Sequence, residues 1–543
     1  MKKFQPLSLY NSDFSSIRHK NRIYVDKTDL LYELADPDAE GWYFLSRPRR
    51  FGKSLLLSTF YELFQNGLAD FDGLKIERLW NDGTYRVLRL NFAWLKSVNS
   101  RTQFLRAFNQ MMVVSCRNAG IPFNCSEDID DAYQLGLFLS SMPPNSLVVL
   151  IDEYDAPLTS NMHDEAAFED VRKGMSDIFE QIKECQRSIR FFFMTGITKI
   201  SQAGIFSGFN NMRDISLLRK YGTLLGYTEE EISQYFGDYL ERAARVGSTG
   251  VREILERIRE NYDGYCFDEA TATHVYSPWS VMSYLTAPED GFKCYWYNSA
   301  GKPSIVENLL RRQGMLDVSI LEKQQTINIR NLLGSHGLMD MDPLALLYQS
   351  GYLTMKQIIG EQVFLDFPNK EVRQSMEDLY FFLLIGDDGQ RNLQFERIVP
   401  YMRSGNAEGV VRLLNLLMLE ADYGDAAKIN SEGICRFCVY ISLRTIGLSP
   451  RPEGHNAFGR SDLELDVGSV RWIFEFKYAE KQADVERKLR EAADQITARR
   501  YGEARLDDRH LIRVALVYCA EKRQFFDCVA EDSLHPQEKK GAD

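Results

Sequence analysis

Four apolar runs in the N-terminal part of the chain predict the strands of a parallel sheet. The run at 147–151 contains no polar residue and is followed by two carboxylates, as expected for a strand that is buried on both faces. Helical patterns separate the runs, and the repeated order of strand and helix predicts a doubly wound α/β sheet. The predicted strands are residues 42–45, 85–92, 147–153 and 189–194.

The residues that follow the first predicted strand have the order of a phosphate-binding loop. Phe51, Gly52, Lys53 and Ser54 lead directly into an apolar helix. In such a turn, backbone N–H groups and the helix dipole hold a β-phosphate, the lysine neutralises phosphate oxygens, and the serine hydroxyl ligates Mg²⁺. The sequence therefore predicts that Gly52, Lys53 and Ser54 bind ATP or GTP.

This loop departs from the full phosphate-loop pattern at one position. Arg47 stands where the pattern has a glycine, five residues before Gly52. Arg49 and Arg50 would add guanidinium groups near the phosphates, which suits a triphosphate. The backbone shape of the loop therefore has to be determined from the structure.

Polar residues at the ends of two later strands complete the predicted nucleotide site. Asp152 would hold Mg²⁺ through water, and Glu153 would polarise the water that attacks the γ-phosphate. A buried strand with a solvated acidic end is the alternative, and the lysine loop that precedes it argues against this alternative. Thr195 either senses the γ-phosphate or is an ordinary threonine in the turn before Gly196.

A hairpin in the C-terminal part carries a second set of charged residues. Residues 461–467 alternate polar with apolar, and a short turn at 468–469 leads to the apolar run 470–477. Side chains two apart on a strand share a face, so Glu475 and Lys477 point the same way, and Asp462 could reach them from the partner strand. The two carboxylates would hold Mg²⁺ or Mn²⁺ and the lysine would orient or activate water. A solvated face of an exposed hairpin would produce the same pattern.

Helices flank this hairpin in the sequence. Ser431 caps a predicted helix with Glu432 in its first turn, and a third carboxylate could join the metal from there. Residues 483–501 predict an amphipathic helix with Gln495, and residues 511–518 predict a strand. Four thiols, those of Cys435, Cys438, Cys519 and Cys528, could hold zinc or an iron–sulfur cluster, or they are buried thiols of an apolar helix and its surroundings.

Length and composition indicate how many domains the chain can form and which class of protein it belongs to. The chain has 543 residues, enough for three or four domains, with 44% hydrophobic and 26% charged residues. No apolar run approaches the length of a membrane helix, which predicts a cytoplasmic protein without a membrane partner, and nine scattered cysteines fit reduced thiols. The net charge of −12 argues against a surface that is basic everywhere and leaves a local nucleic-acid groove open.

The chain contains a series of short motifs at residues 24–28, 46–54, 150–155, 195–199, 262–265, 276–280, 348–353, 367–369 and 473–477. Together these motifs resemble a prokaryotic family, the AAA-ATPase-like proteins with a C-terminal PD-(D/E)XK nuclease-like domain. The family's lysine loop also begins Arg-Pro-Arg-Arg, so Arg47 fits the resemblance. The similarity extends over nearly the whole chain.

The resemblance implies an ATPase-like domain, expected at 1–225, and a nuclease-like domain, expected at 431–525. The helical patterns between them predict a lid or linker at 226–430 with a winged-helix-like piece around 348–367, and residues 526–543 are expected to form a tail. The resemblance matches Asp462, Glu475 and Lys477 to the nuclease pattern, Glu432 to its first-helix acid and Gln495 to a polar residue on the following helix. The expected activity is ATP binding or hydrolysis coupled to a metal-dependent nuclease. The alternative is a nucleotide-dependent switch that binds a partner and keeps the nuclease fold as a scaffold. Arg213 or Arg219 could serve a neighbouring subunit of a homo-oligomer as an arginine finger.

Overall fold

The computed structural model divides the chain into two compact units, residues 1–309 with 324–373, and residues 310–323 with 374–543. It describes residues 4–123, 125, 129–199, 212–296, 306, 319–334, 342–385, 396–420, 429–456, 459–498 and 509–531.

The α-helices of the described residues are α1 Phe14–His19, α2 Thr28–Ala35, α3 Lys53–Asn66, α4 Arg101–Asn118, α5 Gln134–Ser141, α6 Ala156–Ser160, α7 Glu165–Glu184, α8 Glu229–Tyr235, α9 Gly237–Val246, α10 Val251–Tyr262, α11 Pro278–Thr286, α12 Ser319–Glu322, α13 Ile329–Leu333, α14 Pro343–Ser350, α15 Lys370–Ile385, α16 Ile398–Ser404, α17 Ala407–Glu420, α18 Glu432–Thr445 and α19 Val485–Ala498.

The strands of the described residues are β1 Trp42–Ser46, β2 Arg86–Asn91, β3 Leu147–Asp152, β4 Ile189–Gly196, β5 Arg213–Asp214, β6 Tyr265–Cys266, β7 His274–Val275, β8 Gln325–Asn328, β9 Thr354–Ile359, β10 Gln362–Asp366, β11 Arg451–Asn456, β12 Gly459–Val467, β13 Val470–Ala479, β14 His510–Cys519 and β15 Gln524–Glu531.

The first unit contains a five-stranded parallel sheet in the order β2-β3-β4-β1-β5. All residues of β1 and of β3 are buried, which explains their unbroken apolar sequence, because a central parallel strand meets helices on both faces. The predicted strands and the doubly wound parallel sheet are therefore confirmed. Strand β4 lies between the strand of the lysine loop and the acidic strand, so the carboxyl ends of all three strands meet at one edge.

The later part of the first unit consists mainly of helices. Helices α8 to α11 pack around a shared core that includes Ile232, Leu240 and Ile258. Thr228 caps α8 with the reciprocal bonds of a capping box, as the run of glutamates after it predicts. A three-stranded antiparallel sheet follows in the order β8-β10-β9. The chain order of strand, two helices and hairpin in this piece is that of the expected winged-helix-like element, which remains a proposal.

The second unit contains a mixed sheet in the order β11-β12-β13-β14-β15. The predicted hairpin is present as the antiparallel pair β12 and β13, and β13 runs parallel to β14. The tail expected from residue 526 begins inside β15, because Gln524–Glu531 pairs with β14 along its length. Residues 499–501 of the predicted amphipathic helix lie outside the described residues. Within the part of the chain that the structure describes, no helix is both long and apolar enough to cross a bilayer.

Candidate functional sites

The turn between β1 and α3 places Lys53 at the first position of a helix. Gly52 caps α3 with a φ of +99°, a left-handed conformation that a residue with a Cβ adopts only with strain. Arg50 also has a positive φ of 66°. The tight turn directs the chain from the sheet edge into the helix, so the N-terminal N–H groups of α3 border the space beyond the strands.

Lys53 is a buried cation whose two described partners are uncharged. Its Nζ donates to the carbonyl oxygens of Arg47 and Pro48, each at 2.8 Å. Lys53 is 7% exposed, and this burial lowers its pKa to about 8. Among the described residues no carboxylate forms an ion pair with Lys53, although Asp152, Asp155 and Glu153 lie near enough to oppose the lowering of its pKa. A buried cation of this kind favours an anionic ligand, since a phosphate oxygen would offset the lost hydration.

Ser54, Asp152 and Thr195 form one hydrogen-bonded group. The Ser54 hydroxyl donates to Asp152 Oδ2 at 2.7 Å, and the Thr195 hydroxyl donates to Asp152 Oδ1 at 2.9 Å. Thr195 is fully buried within β4, so it is not a turn residue, and its hydroxyl orients Asp152. The hydroxyl and carboxylate oxygens of Ser54 and Asp152 are of the class that Mg²⁺ prefers, and the pair therefore fits that ion.

Glu153 follows the strand in a strained conformation. Its φ is +50°, its N–H donates to Asp152 Oδ1 at 3.0 Å, and its carboxylate lies 3.2 Å from Lys96 Nζ. Positive φ in a non-glycine residue is found at functional sites more than elsewhere, because it costs free energy that the surrounding structure has to supply. Lys96 is a neighbour that sequence reasoning missed, since it follows β2 without a motif.

Arg47, at the position of the missing glycine, lies in the interior. It is 1% exposed, its guanidinium donates to the carbonyl oxygens of Ser46, Ser216 and Tyr221, and it stacks on the Phe267 ring with its Cζ 4.2 Å from the centroid. The arginine therefore ties the start of the loop to later parts of the chain. It does not point to the phosphate side.

Later segments of the chain brace the rest of the loop. Gly351 has a φ of +91°, and a Cβ there would lie 2.7 Å from the Pro48 side chain. The ring of Phe51 packs edge-on against Tyr265, with centroids 4.8 Å apart. The motifs around Tyr265 and Gly351, which the family resemblance singled out without assigning a role, thus support the phosphate loop.

Arg49 and Arg50 both line the cavity beside Lys53 and both contact a tryptophan. The carbonyl oxygen of Arg49 accepts a hydrogen bond from Trp296 Nε1 at 3.1 Å. The Arg50 guanidinium lies over the Trp279 ring, with its Cζ 4.2 Å from the centroid. Stacking on the indole ring fixes the plane of the Arg50 guanidinium at the border of the cavity.

A cavity of about 590 Å³ opens over these residues, within the range of small-molecule sites. Its lining contains both charged or polar residues and apolar or aromatic residues. The first group includes Arg49, Arg50, Lys53, Ser54, Lys96, Asp152 and Glu153, and the second includes Ile23, Tyr24, Leu225, Tyr227, Trp279 and Met282.

The hairpin of the second unit brings its charged residues together as the alternation predicts. Lys477 Nζ lies 3.2 Å from Glu432 Oε1 and 3.3 Å from Glu475 Oε1, and it also bonds the Phe476 carbonyl. Phe474 and Phe476 lie on the opposite face and are fully buried. Glu475 is fully buried too, so the alternative of a solvated face is wrong for this residue.

Asp462 is held from two sides. Its Oδ2 accepts the N–H of Phe476 at 2.7 Å, and its Oδ1 lies 3.6 Å from the guanidinium of Arg436. Arg436 was not among the predicted site residues. It lies one helical turn after Glu432 on α18, and this four-residue spacing is the signal that could have identified it.

Burial and neighbouring carboxylates raise the pKa of Glu475 to about 7. Its Oε2 is buried without a hydrogen-bond partner among the described residues. An orphaned carboxylate oxygen beside Asp462 is the kind of ligand that Mg²⁺ or Mn²⁺ takes, so the donor chemistry fits. As arranged in the described residues, however, no group of three or more His, Cys, Asp or Glu side chains forms a ready metal site, and Lys477 occupies the space between Glu432 and Glu475.

The cysteines favour the alternative of buried thiols. Cys435, Cys438 and Cys519 are buried, Cys528 is exposed, and the described residues hold no cysteine group suited to a metal. Burial raises the pKa of Cys435 and raises that of Cys438 to about 12, which keeps both thiols protonated.

For two other predicted residues, the structure gives a position and does not indicate a role. Gln495 is half-buried on α19, whose Ala492 and Ile496 pack against β13 and β14. Arg213 lies on edge strand β5, 3.8 Å from the Glu40 carboxylate.

Comparison with known proteins matches two regions of the chain. Residues 10–206 match the family model described as a predicted AAA-ATPase, and residues 430–527 match that of the PD-(D/E)XK nuclease superfamily. The chain is also 28% identical over 482 residues to the "Uncharacterized protein in vnfD 5'region" of Azotobacter chroococcum mcd 1, across 86% of this chain and 88% of the relative. The resemblance predicted from the motifs is confirmed for both regions.

Proposed function

We propose that the first unit binds Mg²⁺ and ATP and hydrolyses the nucleotide. The observation that carries this proposal is buried Lys53, whose Nζ bonds two neutral carbonyl oxygens beside a cavity that Ser54 and Asp152 also line. Among the described residues no carboxylate forms an ion pair with this cation, and a triphosphate would supply negative charge to it. The apolar and aromatic side chains of the same lining suit a purine ring.

The residues at the sheet edge have distinct roles in this proposal. Lys53, Arg49 and Arg50 bind phosphate oxygens, while Ser54 and Asp152 hold Mg²⁺, which would neutralise charge on the β- and γ-phosphates. Thr195 orients Asp152 through its hydroxyl. Glu153 polarises the attacking water and accepts its proton, and it has to exchange its contact with Lys96 for one with that water.

We propose that the second unit is a nuclease that uses Mg²⁺ or Mn²⁺. Asp462, Glu475 and Glu432 would hold the ion, which stabilises negative charge on the scissile phosphate. Lys477 would then orient the attacking water or donate to the phosphate oxygens. The support is the orphaned Glu475 oxygen beside Asp462 and the lysine between the carboxylates. Nucleic acid is the proposed substrate, and nucleotide turnover is proposed to gate its cleavage.

A rival function has its own supporting observation. Lys477 already neutralises Glu432 and Glu475, and Arg436 faces Asp462, so the carboxylates have partners without a metal. A protein with this internal neutralisation could keep the nuclease fold as a scaffold and act as a nucleotide-dependent switch on a partner.

Cleavage of plasmid, linear and single-stranded nucleic acid tests the nuclease half. We expect cutting with Mg²⁺ or Mn²⁺ by the wild type and its loss in Asp462→Ala, and dependence on ATP would show coupling. Titration of Mn²⁺ separates the rival, since a scaffold would bind the ion no better than Asp462→Ala does.

Turnover of ATP tests the other half. We expect Lys53→Ala to lose nucleotide binding, and Glu153→Gln to keep binding and lose hydrolysis. Unchanged binding and turnover in both variants would contradict the ATPase proposal. No cutting with intact ATP turnover would favour the switch.

A further inference from the structure

Trp296 connects a late segment of the chain to the phosphate loop. Its indole Nε1 donates to the carbonyl oxygen of Arg49 at 3.1 Å, across 247 residues of sequence. Trp296 is 3% exposed and packs edge-on against Tyr352, with ring centroids 5.1 Å apart. A buried indole with its N–H engaged has a defined orientation, so this bond fixes the loop backbone at Arg49.

The orientation of Trp296 depends in turn on Glu371. The backbone N–H of Trp296 donates to Glu371 Oε1 at 2.6 Å, and the Ser280 hydroxyl donates to Oε2 at 2.7 Å. Glu371 is 3% exposed and lies in the first turn of α15. A carboxyl group in this position costs free energy through lost hydration, and its geometric effect is to join Trp296 to helix α11.

Helix α11 carries the second contact to the loop. Ser277 caps its N-terminus, and Trp279, next to the Glu371 partner Ser280, stacks under the Arg50 guanidinium. The indole of Trp279 also donates to the carbonyl oxygen of Tyr295 at 3.1 Å, beside Trp296. The two tryptophans are therefore tied to each other as well as to the loop.

We infer that Glu371 is a positioning residue of the nucleotide site, which holds Arg49 through Trp296 and Arg50 through Trp279 in the geometry that receives the triphosphate. This inference rests on the proposed binding of ATP. The loop has a buried arginine in place of the usual glycine and a strained Arg50, so contacts from outside the loop have to define its shape.

Binding of Mg·ATP to the full chain, measured by titration calorimetry, tests the inference. Trp296→Phe keeps the apolar ring and removes the donor to Arg49, and we expect affinity to fall about five-fold. Glu371→Ala releases both tryptophans and should weaken binding about ten-fold. Glu371→Gln keeps an acceptor for the Trp296 N–H and should restore affinity to within about two-fold of the wild type.

A double variant distinguishes positioning from a general loss of stability. If Glu371 acts through Trp296, combining Trp296→Phe with Glu371→Ala should weaken binding no further than Glu371→Ala alone. Glu377→Ala is the matched control, because Glu377 is a 2% exposed carboxylate on the same helix that bonds Tyr440 and Arg444. We expect it to keep wild-type affinity for Mg·ATP.

Wild-type affinity in both Trp296→Phe and Glu371→Ala, with binding lost in Lys53→Ala, would overturn the inference and leave the proposed function intact. Absence of Mg·ATP binding by the wild type would instead overturn the proposed function. Where Glu371→Ala fails to fold, Trp296→Phe is compared with Glu371→Gln. The inference expects Trp296→Phe to lose more affinity for Mg·ATP than Glu371→Gln, so equal affinities in the two variants would contradict it.

Discussion

The central lysines of the two candidate sites have different kinds of partner. Lys53 is buried against two carbonyl oxygens, whereas Lys477 lies between the carboxylates of Glu432 and Glu475. Among the described residues no carboxylate forms an ion pair with the first cation, whereas two form ion pairs with the second. The first site therefore suits an anion, while the proposed metal of the second site would have to replace an internal ion pair.

The sites also differ in how the chain assembles them. The residues around Lys477 come from one helix and one hairpin, between Glu432 and Lys477. The phosphate loop is held by segments as distant as Trp296, Gly351 and Glu371. In a site built from local elements, the register of the strands determines which side chains meet. In a site built from distant segments, the packing of the whole unit determines it.

Removal of Asp462 should give the largest effect and separate the two sites. We expect Asp462→Ala to reduce metal-dependent cleavage roughly 1,000-fold, because the variant loses the proposed ligand to the ion and the contact to the Phe476 N–H. ATP turnover measured without nucleic acid should not change. The exposed Asp494→Ala is the control, and equal cleavage by both variants would contradict the assignment of Asp462.

Removal of the buried cation Lys53 should come next. Lys53→Met is expected to weaken Mg·ATP binding about 100-fold, since Arg49 and Arg50 remain but neither stands at the first position of α3. Lys199→Met is a matched control, because Lys199 is equally buried at 6% exposure but pairs with Asp214 at 2.6 Å and lies outside the cavity lining. Similar losses of affinity in the two variants would show that Lys53 acts through stability alone.

A substitution far from Lys53 tests whether distant packing shapes the loop. Gly351→Ala places a Cβ 2.7 Å from Pro48 and requires a φ of +91°, so we expect the free energy of unfolding to fall by about 2 kcal/mol. Affinity for Mg·ATP should fall as well. Urea unfolding measures the change in stability, and titration calorimetry measures the change in affinity. Gly73→Ala is the control, since its φ is also positive at +73° and nothing lies within 4 Å. A loss of affinity as large in Gly73→Ala would contradict the role of the Pro48 contact.

The buried carboxyl of the second site should affect stability with a defined pH dependence. Burial raises the pKa of Glu475 to about 7 from the ordinary glutamate value of 4.5, so between these values the folded state retains a proton that the unfolded state has lost. The stabilisation of the folded state that comes from protonation of Glu475 is therefore fully present below pH 4.5. It is lost as the pH rises through about 7.

We accordingly expect Glu475→Gln, without divalent metal, to raise the free energy of unfolding at pH 8 by about 1.5 kcal/mol while it removes cleavage. Unfolding at pH 4 and pH 8 measures this effect, and the wild type and the variant should differ least at pH 4. An equal difference at both pH values would show that the gain does not come from titration of Glu475.

The sequence alone predicted the strands around both sites to within a few residues. Apolar runs, interrupted in β4 by Arg190, identified β1, β3 and β4, and alternation identified the hairpin with Glu475 and Lys477 on one face. These patterns are local, because a strand's own periodicity reports which of its faces are buried. The motif order also indicated the two families that the comparisons match.

Only the tertiary structure decided which partner each polar group has. Thr195 bonds Asp152, Arg47 lies in the interior, and Trp296 reaches Arg49, although nothing in the spacing of these residues predicts the contacts. The spacing from Glu432 indicates that Arg436 lies on the same side of α18, but its proximity to Asp462 follows from the packing of α18 beside the hairpin. Local sequence determines burial and secondary structure, whereas the partner of a buried charge depends on which distant segments pack around it.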